Sequence, residues 1–541
     1  MSKGTEMAKV SARGGFNLMW GLIASTVISF VGILAITYIL GAQNYGLYSI
    51  ALVGPTLIAT FRDCGVNSAM VKYSAQYNVE DKTRIRGIIV SGLVFEIALG
   101  LSLSLLSFAL SPFIASSLHR PTIVPLIQIA SFFILSGALV NSATAAFTGL
   151  EIMHYYSFML IIQSTIKTGL IIGLVLLGFG TLGAITGYTV SALIAGLAGV
   201  IIVWSIYRLL PKSSTRTEII STIKTMLGYG IPVSIGTILT GLLTAFYSYI
   251  LAFYVTNNAL IGNYNLAINF SILITFFATP VTTMLFPAFS KLDYRKDHDT
   301  LKTVFQYSVK YASLIVVPVA ALVIALAQPG VGFIYRNSYS SAPLFLALLS
   351  VTYLYAALGS LSISNLLLGQ GFTKFNLGLS VLQVGIGVPV GFLLISQFGV
   401  VGLIATSLTV GLPSLFVGLS FLKKKFGVSV DWLSSVKILL SSGIAAGSTY
   451  ILISKLPLAA FRFVSVPLEQ LVIGIIVFPI IFVLAAIVTR TIDRGDLTTL
   501  RQISDALGPL RGLVRFLLNV IEKLMGGSNS RYSIARQATS D

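Results

Sequence analysis

Long apolar runs, separated by short polar connections, follow one another along most of the chain. A helix needs about 20 mostly apolar residues to cross the hydrocarbon core of a bilayer. Because these runs are continuous and show no strand-like alternation, they predict transmembrane helices. We count fourteen of them, near residues 15–40, 44–70, 87–111, 121–148, 156–178, 180–208, 226–254, 259–290, 304–327, 341–368, 375–396, 399–422, 433–455 and 467–489.

The composition agrees with a membrane protein. Of the 541 residues, 55% are hydrophobic and only 10% are charged, and the mean hydropathy is +0.92. Soluble domains carry about 25% charged residues, so a water-soluble enzyme is excluded, and the apolar content excludes disorder. The single cysteine, Cys64, and three scattered histidines give no disulfide and no metal-ligand spacing. We therefore expect no metal, no cofactor and no enzymatic activity.

The basic excess predicts the orientation in the membrane. The formal net charge is +18, which in a soluble protein would suggest nucleic acid as a partner. With the N-terminus placed inside, the predicted inner segments contain 28 Lys and Arg residues and the outer loops contain four. Cations collect on the cytoplasmic side of membrane proteins. The charges therefore predict a multi-pass protein of the cell membrane with both termini in the cytoplasm, and no nucleic-acid partner.

Two halves of the chain repeat each other at an offset of about 216–219 residues. The pattern G-x-Y-x-x-A occurs at residues 46–51 and 262–267, and F-G-x-x-G occurs at 179–183 and 398–402. Six spans separate the copies, so both have the same orientation, as in transporters with two bundles around a central site. The fold class predicted is an all-α polytopic membrane protein with two parallel six-helix bundles, residues 1–210 and 211–425, and two additional helices in 426–490.

Residues 491–541 form the predicted cytoplasmic tail. Between 496 and 524 its apolar residues recur at steps of three and four, which is typical of one helical face, and most of its cations lie off that stripe. We expect an amphipathic helix held on the inner leaflet by anionic lipids, with packing onto the core or a partner as the alternative. The polar residues 526–541 predict disorder.

Four charged residues inside the predicted spans are the candidate substrate-binding residues. A charge at the centre of a span costs at least ~2.5 kcal/mol, so it points to function. Arg62 and Asp63 fall in the second span, and adjacent helix positions point ~100° apart, so they do not simply neutralise each other. Glu96, in the third span, could pair with Arg62 or with Lys167. Lys167 lies mid-span, too deep to reach water easily, which favours a cation facing a cavity.

Two cations facing one cavity suit an anionic ligand, since Arg and Lys both bind phosphate oxygens. A third cation within a span, Lys310, lies near a helix end and is expected to reach water. The second half offers hydroxyl and amide groups that could bond sugar hydroxyls in a hydrated cavity. They are Thr240, Thr244, Tyr247, Tyr249, Asn265, Asn269, Tyr353, Asn365 and Gln383.

Several segments resemble the polysaccharide-export flippases of the multidrug/oligosaccharidyl-lipid/polysaccharide exporter superfamily. The resemblance rests on residues 16–51, on Ile231-Pro232, on the turn at 261–267 and on 285–290, and it extends over roughly residues 10–425. It implies a carrier of polyprenyl-phosphate-linked or polyprenyl-pyrophosphate-linked oligosaccharide between the leaflets. Residues 61–65 are similar to a segment of the lipid II flippases, which assigns to Arg62 the role of meeting the pyrophosphate. Many relatives carry an acidic residue where this chain has 243–249, so the resemblance leaves any coupling ion there in doubt.

Two other functions remain open at this point. A cation-coupled multidrug antiporter of the same superfamily would need mid-span acids, and Asp63 and Glu96 are the candidates. A membrane-embedded glycan polymerase would need functional residues in large outer loops, where the chain offers little beyond Arg120, Arg336 and the loop at 455–469. The charge pattern favours an alternating-access flippase whose partners are a lipid-linked oligosaccharide and membrane lipids, with a coupling ion as a further candidate.

Overall fold

The computed structural model of the protein describes residues 3–211, 218–455, 465–492 and 495–497, together with 501, 512, 519 and 522; the side chains of 3–19 and of 280, 281, 283, 284 and 287 lie outside this description. Sixteen α-helices are found in this part of the chain. They are α1 (Lys3–Ala59), α2 (Val66–Glu80), α3 (Ile85–Ala109), α4 (Ser111–Ser117), α5 (Val124–Gly149), α6 (Met153–Leu174), α7 (Gly180–Leu209), α8 (Ile219–Tyr254), α9 (Asn258–Phe270), α10 (Ile272–Ser290), α11 (His298–Tyr335), α12 (Ala342–Ser350), α13 (Ser360–Gly369), α14 (Thr373–Phe426), α15 (Trp432–Lys455) and α16 (Val466–Val488).

The prediction of an all-helical, polytopic membrane protein is confirmed for the described residues. Ten helical segments are long and apolar enough to cross a membrane, or eleven when the bent pair Ala342–Leu358 and Ser360–Gly369 is one span. Three of these segments have 40, 57 and 54 residues, and a span needs only about 20. Each contains a glycine with positive φ, namely Gly41, Gly178 and Gly399, where the helix direction can change. The total of fourteen spans stays a prediction.

Two spans predicted as continuous helices are interrupted. Residues 259–290 form α9 and α10, which are separated at Ser271. Residues 341–368 form α12, a 3₁₀ segment at Val351–Leu358, and α13, with a bend of 51° between the parts. Hydropathy shows that both stretches are apolar, but it does not report where the backbone hydrogen-bond pattern changes.

The described chain groups into two compact units. The first comprises Met1–Phe270, Ile334–Phe345 and Lys374–Ser414, and the second comprises Ser271–Phe333, Leu346–Thr373 and Leu415–Asp541. These divisions do not coincide with the predicted bundle boundaries at residues 210 and 425, which stay predictions.

The first unit has a core built by α2, α3, α5, α6, α7 and α8. Phe147 on α5, Met159 on α6 and Met226 on α8 are fully or almost fully buried in it, together with Ile89 and Val203. Burial of each such side chain stabilises the fold by about 1.5–3 kcal/mol. α8 therefore packs with the helices that precede it and helps to position the candidate site described below.

The second unit has its own core, in which Ile274, Val316, Ala356 and Ile438 are buried. It also corrects the expectation for Lys310. Instead of reaching water, Lys310 pairs with Asp496, with 2.7 Å between Nζ and Oδ2, and the two side chains are 12% and 3% exposed. Of the predicted amphipathic helix at 496–524, only isolated residues are described, and residues 526–541 lie outside the described part.

Candidate functional site

A break in the helical backbone lies between α1 and α2. The helix ends at Ala59, and the next begins at Val66. Tight turns replace the helical pattern: the amide of Arg62 donates to the carbonyl of Ala59, 3.1 Å away. Gly65 has a φ of 82°, and a Cβ there would lie 2.1 Å from the carbonyl oxygen of Gly230 on α8. The two backbones thus approach closely here, and position 65 has no room for a side chain.

Arg62 and Asp63 lie inside this break, so the expectation that they sit in a continuous helix is wrong. Broken helices in transporters place irregular backbone where it lines a cavity. Arg62 is held against α5, where its Nη1 donates to the carbonyl of Ile134 at 3.4 Å. Gly137 makes room for it, since a Cβ at that position would lie 2.3 Å from Nη1.

Glu96 is the acidic partner of Arg62. The distance from Arg62 Nε to Glu96 Oε2 is 3.9 Å, and the side chains are 11% and 0% exposed. Neither of these two atoms has a hydrogen-bond partner within the described structure. The pair is therefore an electrostatic contact in which the guanidinium keeps donor capacity.

Asn67 connects the two carboxylates. Its Nδ2 donates to Glu96 Oε1 at 3.0 Å, and its backbone amide donates to Asp63 Oδ1 at 2.9 Å. Arg62, Asp63 and Glu96 thus belong to one cluster, in which Glu96 contacts Arg62, one of the two partners that the sequence left open. The two carboxylates reduce the positive potential at Arg62, which any anion binding there would have to overcome.

Lys167 lies on α6, outside this cluster. Its Nζ donates to Ser29 Oγ on α1 at 3.3 Å, and Ser29 Oγ is 3.2 Å from Ser164 Oγ. No carboxylate lies within 4.0 Å of Lys167 Nζ among the described side chains, so it is not the partner of Glu96. The structure therefore brings three of the four predicted residues together and leaves Lys167 in a separate polar contact between α1 and α6.

Two cavities of the first unit have Thr56 and Thr60 in common as lining residues. The smaller, with a volume of about 410 Å³, is lined by Arg62 and by one stripe of α6 that contains Tyr156, Leu160 and Gln163. Lys167 is the next residue along this stripe, one helical turn beyond Gln163, but it is not part of the lining. The larger cavity, which we call the chamber, has a volume of about 680 Å³ and lies among α1, α8, α9 and α14.

The chamber contains five of the nine hydroxyl and amide residues singled out in the sequence. They are Thr240, Thr244, Tyr247, Asn265 and Gln383. Tyr249 instead lies 2.7 Å from Ser117 Oγ, and Asn269 donates to Tyr45 Oη at 2.8 Å. The remaining two, Tyr353 and Asn365, belong to the second unit.

Sequence reasoning missed the other polar residues of the chamber wall. They are Ser49, Thr56, Thr60, Ser248, Tyr264, Thr406 and Ser407. A usable signal was present on α8, because Thr240, Thr244 and Ser248 recur at every fourth position and so share one helical face. The polar residues Ser49 and Thr56 of α1 could not be recognised in this way, since the apolar Leu52 and Val53 lie between them on the same face.

Arg120 binds the C-terminus of α8, where Ala252 lines the chamber. It is 9% exposed, and its Nε donates to Asn258 Oδ1 at 2.8 Å. The two Nη atoms donate to the carbonyls of Leu118, Ala252, Val255 and Thr256, at 2.7–3.1 Å. The guanidinium thus satisfies carbonyl groups that the end of a helix leaves without intrahelical partners.

The two glycines of the repeated G-x-Y-x-x-A pattern meet at the same end. A Cβ at Gly46 would lie 1.8 Å from the carbonyl oxygen of Asn258, and one at Gly262 would lie 2.1 Å from that of Ala42. α1 and α9 therefore cross with their backbones in contact, as small residues permit in membrane helices. The repeat noticed in the sequence has a structural role in this crossing.

Comparison with known sequences gives a family and a relative. The family described as "Polysaccharide biosynthesis protein" matches residues 11–293, which is more than half of the chain. The lipopolysaccharide biosynthesis protein WzxC of Escherichia coli strain K12 is 24% identical over 399 residues, covering 70% of this chain and 77% of that protein.

Two solved structures have a similar fold. The lipid II flippase MurJ in an inward closed conformation gives a TM-score of 0.68 at 17% identity, covering 87% of this chain and 98% of that one. An inward-facing multidrug resistance transporter of the MATE family gives a TM-score of 0.54 at 18% identity, covering 73% of this chain and 96% of that one. At these identities the comparison concerns the fold alone.

Proposed function

Because the chain belongs to the polysaccharide biosynthesis protein family, within the superfamily of multidrug, oligosaccharidyl-lipid and polysaccharide exporters, we propose that it is a flippase. Its substrate is an oligosaccharide linked to polyprenyl phosphate or pyrophosphate, which it carries between the leaflets of the cell membrane. The polar headgroup of such a lipid cannot cross hydrocarbon unaided, whereas its polyprenyl chain never has to leave it. The protein therefore needs a hydrated cavity for the headgroup and a cationic side chain that binds its phosphate.

The observation that carries this proposal is the position of Arg62. Its guanidinium lines a cavity of about 410 Å³ and is joined to Glu96 by a contact of 3.9 Å without a hydrogen bond. Arg binds phosphate oxygens through a planar fork of N–H groups. We assign the phosphate to Arg62, with Asp63, Asn67 and Glu96 as the groups that position it.

Lys167 is proposed as a second cation for the moving headgroup. It lies one helical turn from Gln163, which lines the Arg62 cavity, and has a hydroxyl but no described carboxylate as its contact. A lysine on a flexible stem can reach along α6 when the headgroup moves, since it binds as a point charge.

Translocation would proceed by alternating access of two six-helix bundles, with fourteen spans and both termini in the cytoplasm. In this orientation the end that holds Arg120 and the crossing of Gly46 and Gly262 faces outward. The headgroup would enter from the inner leaflet, and release would require these contacts to separate.

Loss of surface glycan in cells tests the proposal. In a strain that lacks the gene, Arg62→Ala and Lys167→Ala should fail to restore surface glycan while reaching the membrane at normal levels. The matched controls are Arg295→Ala and Lys302→Ala, because both residues are exposed and line none of the described cavities. Normal glycan with both site variants would contradict the assignment.

A multidrug antiporter is the second candidate, favoured by the shared fold with the multidrug transporter and by the buried carboxylate of Glu96. Cation-coupled export of an organic cation would depend on that carboxylate and not on Arg62. Drug-resistance assays of Glu96→Gln and Arg62→Ala therefore separate the two functions.

A further inference from the structure

The chamber contrasts with the Arg62 cavity in its charge. None of the described residues that line it is charged, although it is the larger of the two and shares Thr56 and Thr60 with the lining of the Arg62 cavity. A volume of about 680 Å³ falls within the ~300–1,000 Å³ of pockets that hold ligands of drug size. The chamber can therefore enclose a short oligosaccharide.

The hydroxyl groups of the chamber wall are oriented by their own helices. Seven of the eight described Ser and Thr side chains along it donate to the carbonyl four residues earlier in the chain. They are Ser49, Thr60, Thr240, Thr244, Ser248, Thr406 and Ser407. A hydroxyl has one proton to donate and two lone pairs, so each of these hydroxyls keeps acceptor capacity beside the chamber.

Asn265 strengthens this bias, because its Nδ2 also donates to its own helix, to the carbonyl of Ile261 at 2.9 Å. The wall is thus rich in acceptors and contains no cation. Sugar hydroxyls and the N–H of acetamido groups can donate to such a wall. Tyr247, Tyr264 and Gln383 are lining residues with side-chain N–H or O–H groups to offer, and none of them is charged. A carboxylate accepts only, and burying its charge without an opposite charge is costly.

We propose that the chamber selects an uncharged glycan and that the negative charge of the substrate is confined to the phosphate beside Arg62. The phosphate of the headgroup then lies in the cavity that contains the charged Arg62, and the neutral sugars lie in the uncharged chamber. This inference rests on the proposed flippase function and adds the class of sugar that the function leaves open.

Transport by the purified full-length protein in proteoliposomes tests the inference. Two synthetic polyprenyl-pyrophosphate disaccharides are compared, one ending in glucose and the other in glucuronate at the same position. The glucose form should be flipped about tenfold faster or more, because an unmade hydrogen bond to a charged group costs at least that factor.

A cation placed in the chamber should reverse the preference. Ser407→Lys should raise the rate for the glucuronate form relative to the glucose form at least tenfold. Ser396→Lys is the matched control on the same helix, since its hydroxyl also donates within α14 but does not line the chamber, and it should leave the ratio unchanged. If Ser407→Lys does not fold, Thr244→Lys takes its place.

The outcomes separate this inference from the function on which it rests. Equal rates for the two disaccharides, or a faster glucuronate form, would overturn the neutral-glycan assignment and leave the flippase function standing. A ratio that Ser407→Lys or Thr244→Lys does not change would show that the sugar lies elsewhere. If folded protein moves neither lipid, the proposed function itself fails.

Discussion

Replacement of Glu96 by Gln is the most informative perturbation of the Arg62 cluster. Gln keeps the shape of the side chain and an oxygen that can accept from Asn67 Nδ2, which is 3.0 Å from Glu96 Oε1 in the native protein. It removes the negative charge 3.9 Å from Arg62 Nε. An anion bound to Arg62 would then no longer compete with a carboxylate, so Glu96→Gln should bind it more tightly.

The magnitude follows from the distance. Two unit charges about 4 Å apart interact by about 1 kcal/mol in water and about 4 kcal/mol at an effective dielectric constant of ~20. Glu96 is buried, but the adjacent cavity admits water, which screens the two charges. The interaction energy therefore falls in the lower half of the range from about 1 to about 4 kcal/mol. We expect binding to tighten about tenfold, which corresponds to about 1.4 kcal/mol.

The assay is equilibrium binding of polyprenyl pyrophosphate to the purified protein in lipid nanodiscs. Glu80→Gln is the matched control, because Glu80 is exposed at the end of α2 and accepts only from Gln76 among its described contacts. It should change the affinity little. The double variant Arg62→Ala/Glu96→Gln should lose the gain, since the gain depends on the guanidinium.

An unchanged or weaker affinity in Glu96→Gln would refute this reasoning. It would mean that Glu96 holds Arg62 in the geometry that binds the anion, or that the anion does not bind at Arg62 at all. The double variant distinguishes these explanations, because only the first predicts a further loss when Arg62 is removed.

Three further predictions concern the frame around the site. Arg120→Ala should lower the thermal unfolding midpoint and speed hydrogen exchange at residues 252–258, because each buried carbonyl left without a donor costs about 1–3 kcal/mol; unchanged exchange there would contradict the assigned contacts. Gly230→Ala should destabilise the protein by about 1–3 kcal/mol, since its Cβ would lie 2.4 Å from the carbonyl oxygen of Gly65, and denaturation of the variant checks this. Hydrogen bonds from Ser434 lower the pKa of Asp431, so Asp431→Ala should lower the free energy of unfolding by about 1 kcal/mol at pH 7. This loss should shrink as the pH falls through the lowered pKa, and a loss that does not depend on pH would contradict the stabilising role of the carboxylate.

The helical content and the limits of several helices could be predicted from the sequence. A long apolar run in a bilayer forms a helix, because its backbone polar groups must be hydrogen-bonded within the segment. Accordingly, α3, α15 and α16 lie within a few residues of the predicted spans. The break at residues 60–65 could not be predicted in this way. Arg62 and Asp63 lower the hydropathy there, but hydropathy does not report the close approach of Gly65 to Gly230, which are far apart in the sequence.

The candidate site was predictable to the extent that it contains charge. Arg62, Asp63 and Glu96 stand out because charges are rare inside apolar runs, and their clustering is what the cost of isolated buried charge requires. Only some of the polar residues of the chamber wall could be predicted, because a Ser or Thr in a membrane helix can face a cavity, a neighbouring helix or lipid. Lys310 shows the same limit, since its partner Asp496 lies in a segment that sequence patterns assigned to the tail.

Transport by reconstituted protein tests the central claim most directly. Proteoliposomes containing the wild type, Arg62→Ala or Arg295→Ala are loaded with a polyprenyl-pyrophosphate oligosaccharide of neutral sugars, and its appearance in the opposite leaflet is followed over time. The account predicts movement with the wild type and Arg295→Ala, and loss of at least tenfold in rate with Arg62→Ala, since a charge-assisted hydrogen bond to phosphate is worth about that factor or more. Equal rates for all three proteins would show that the phosphate does not pass by Arg62.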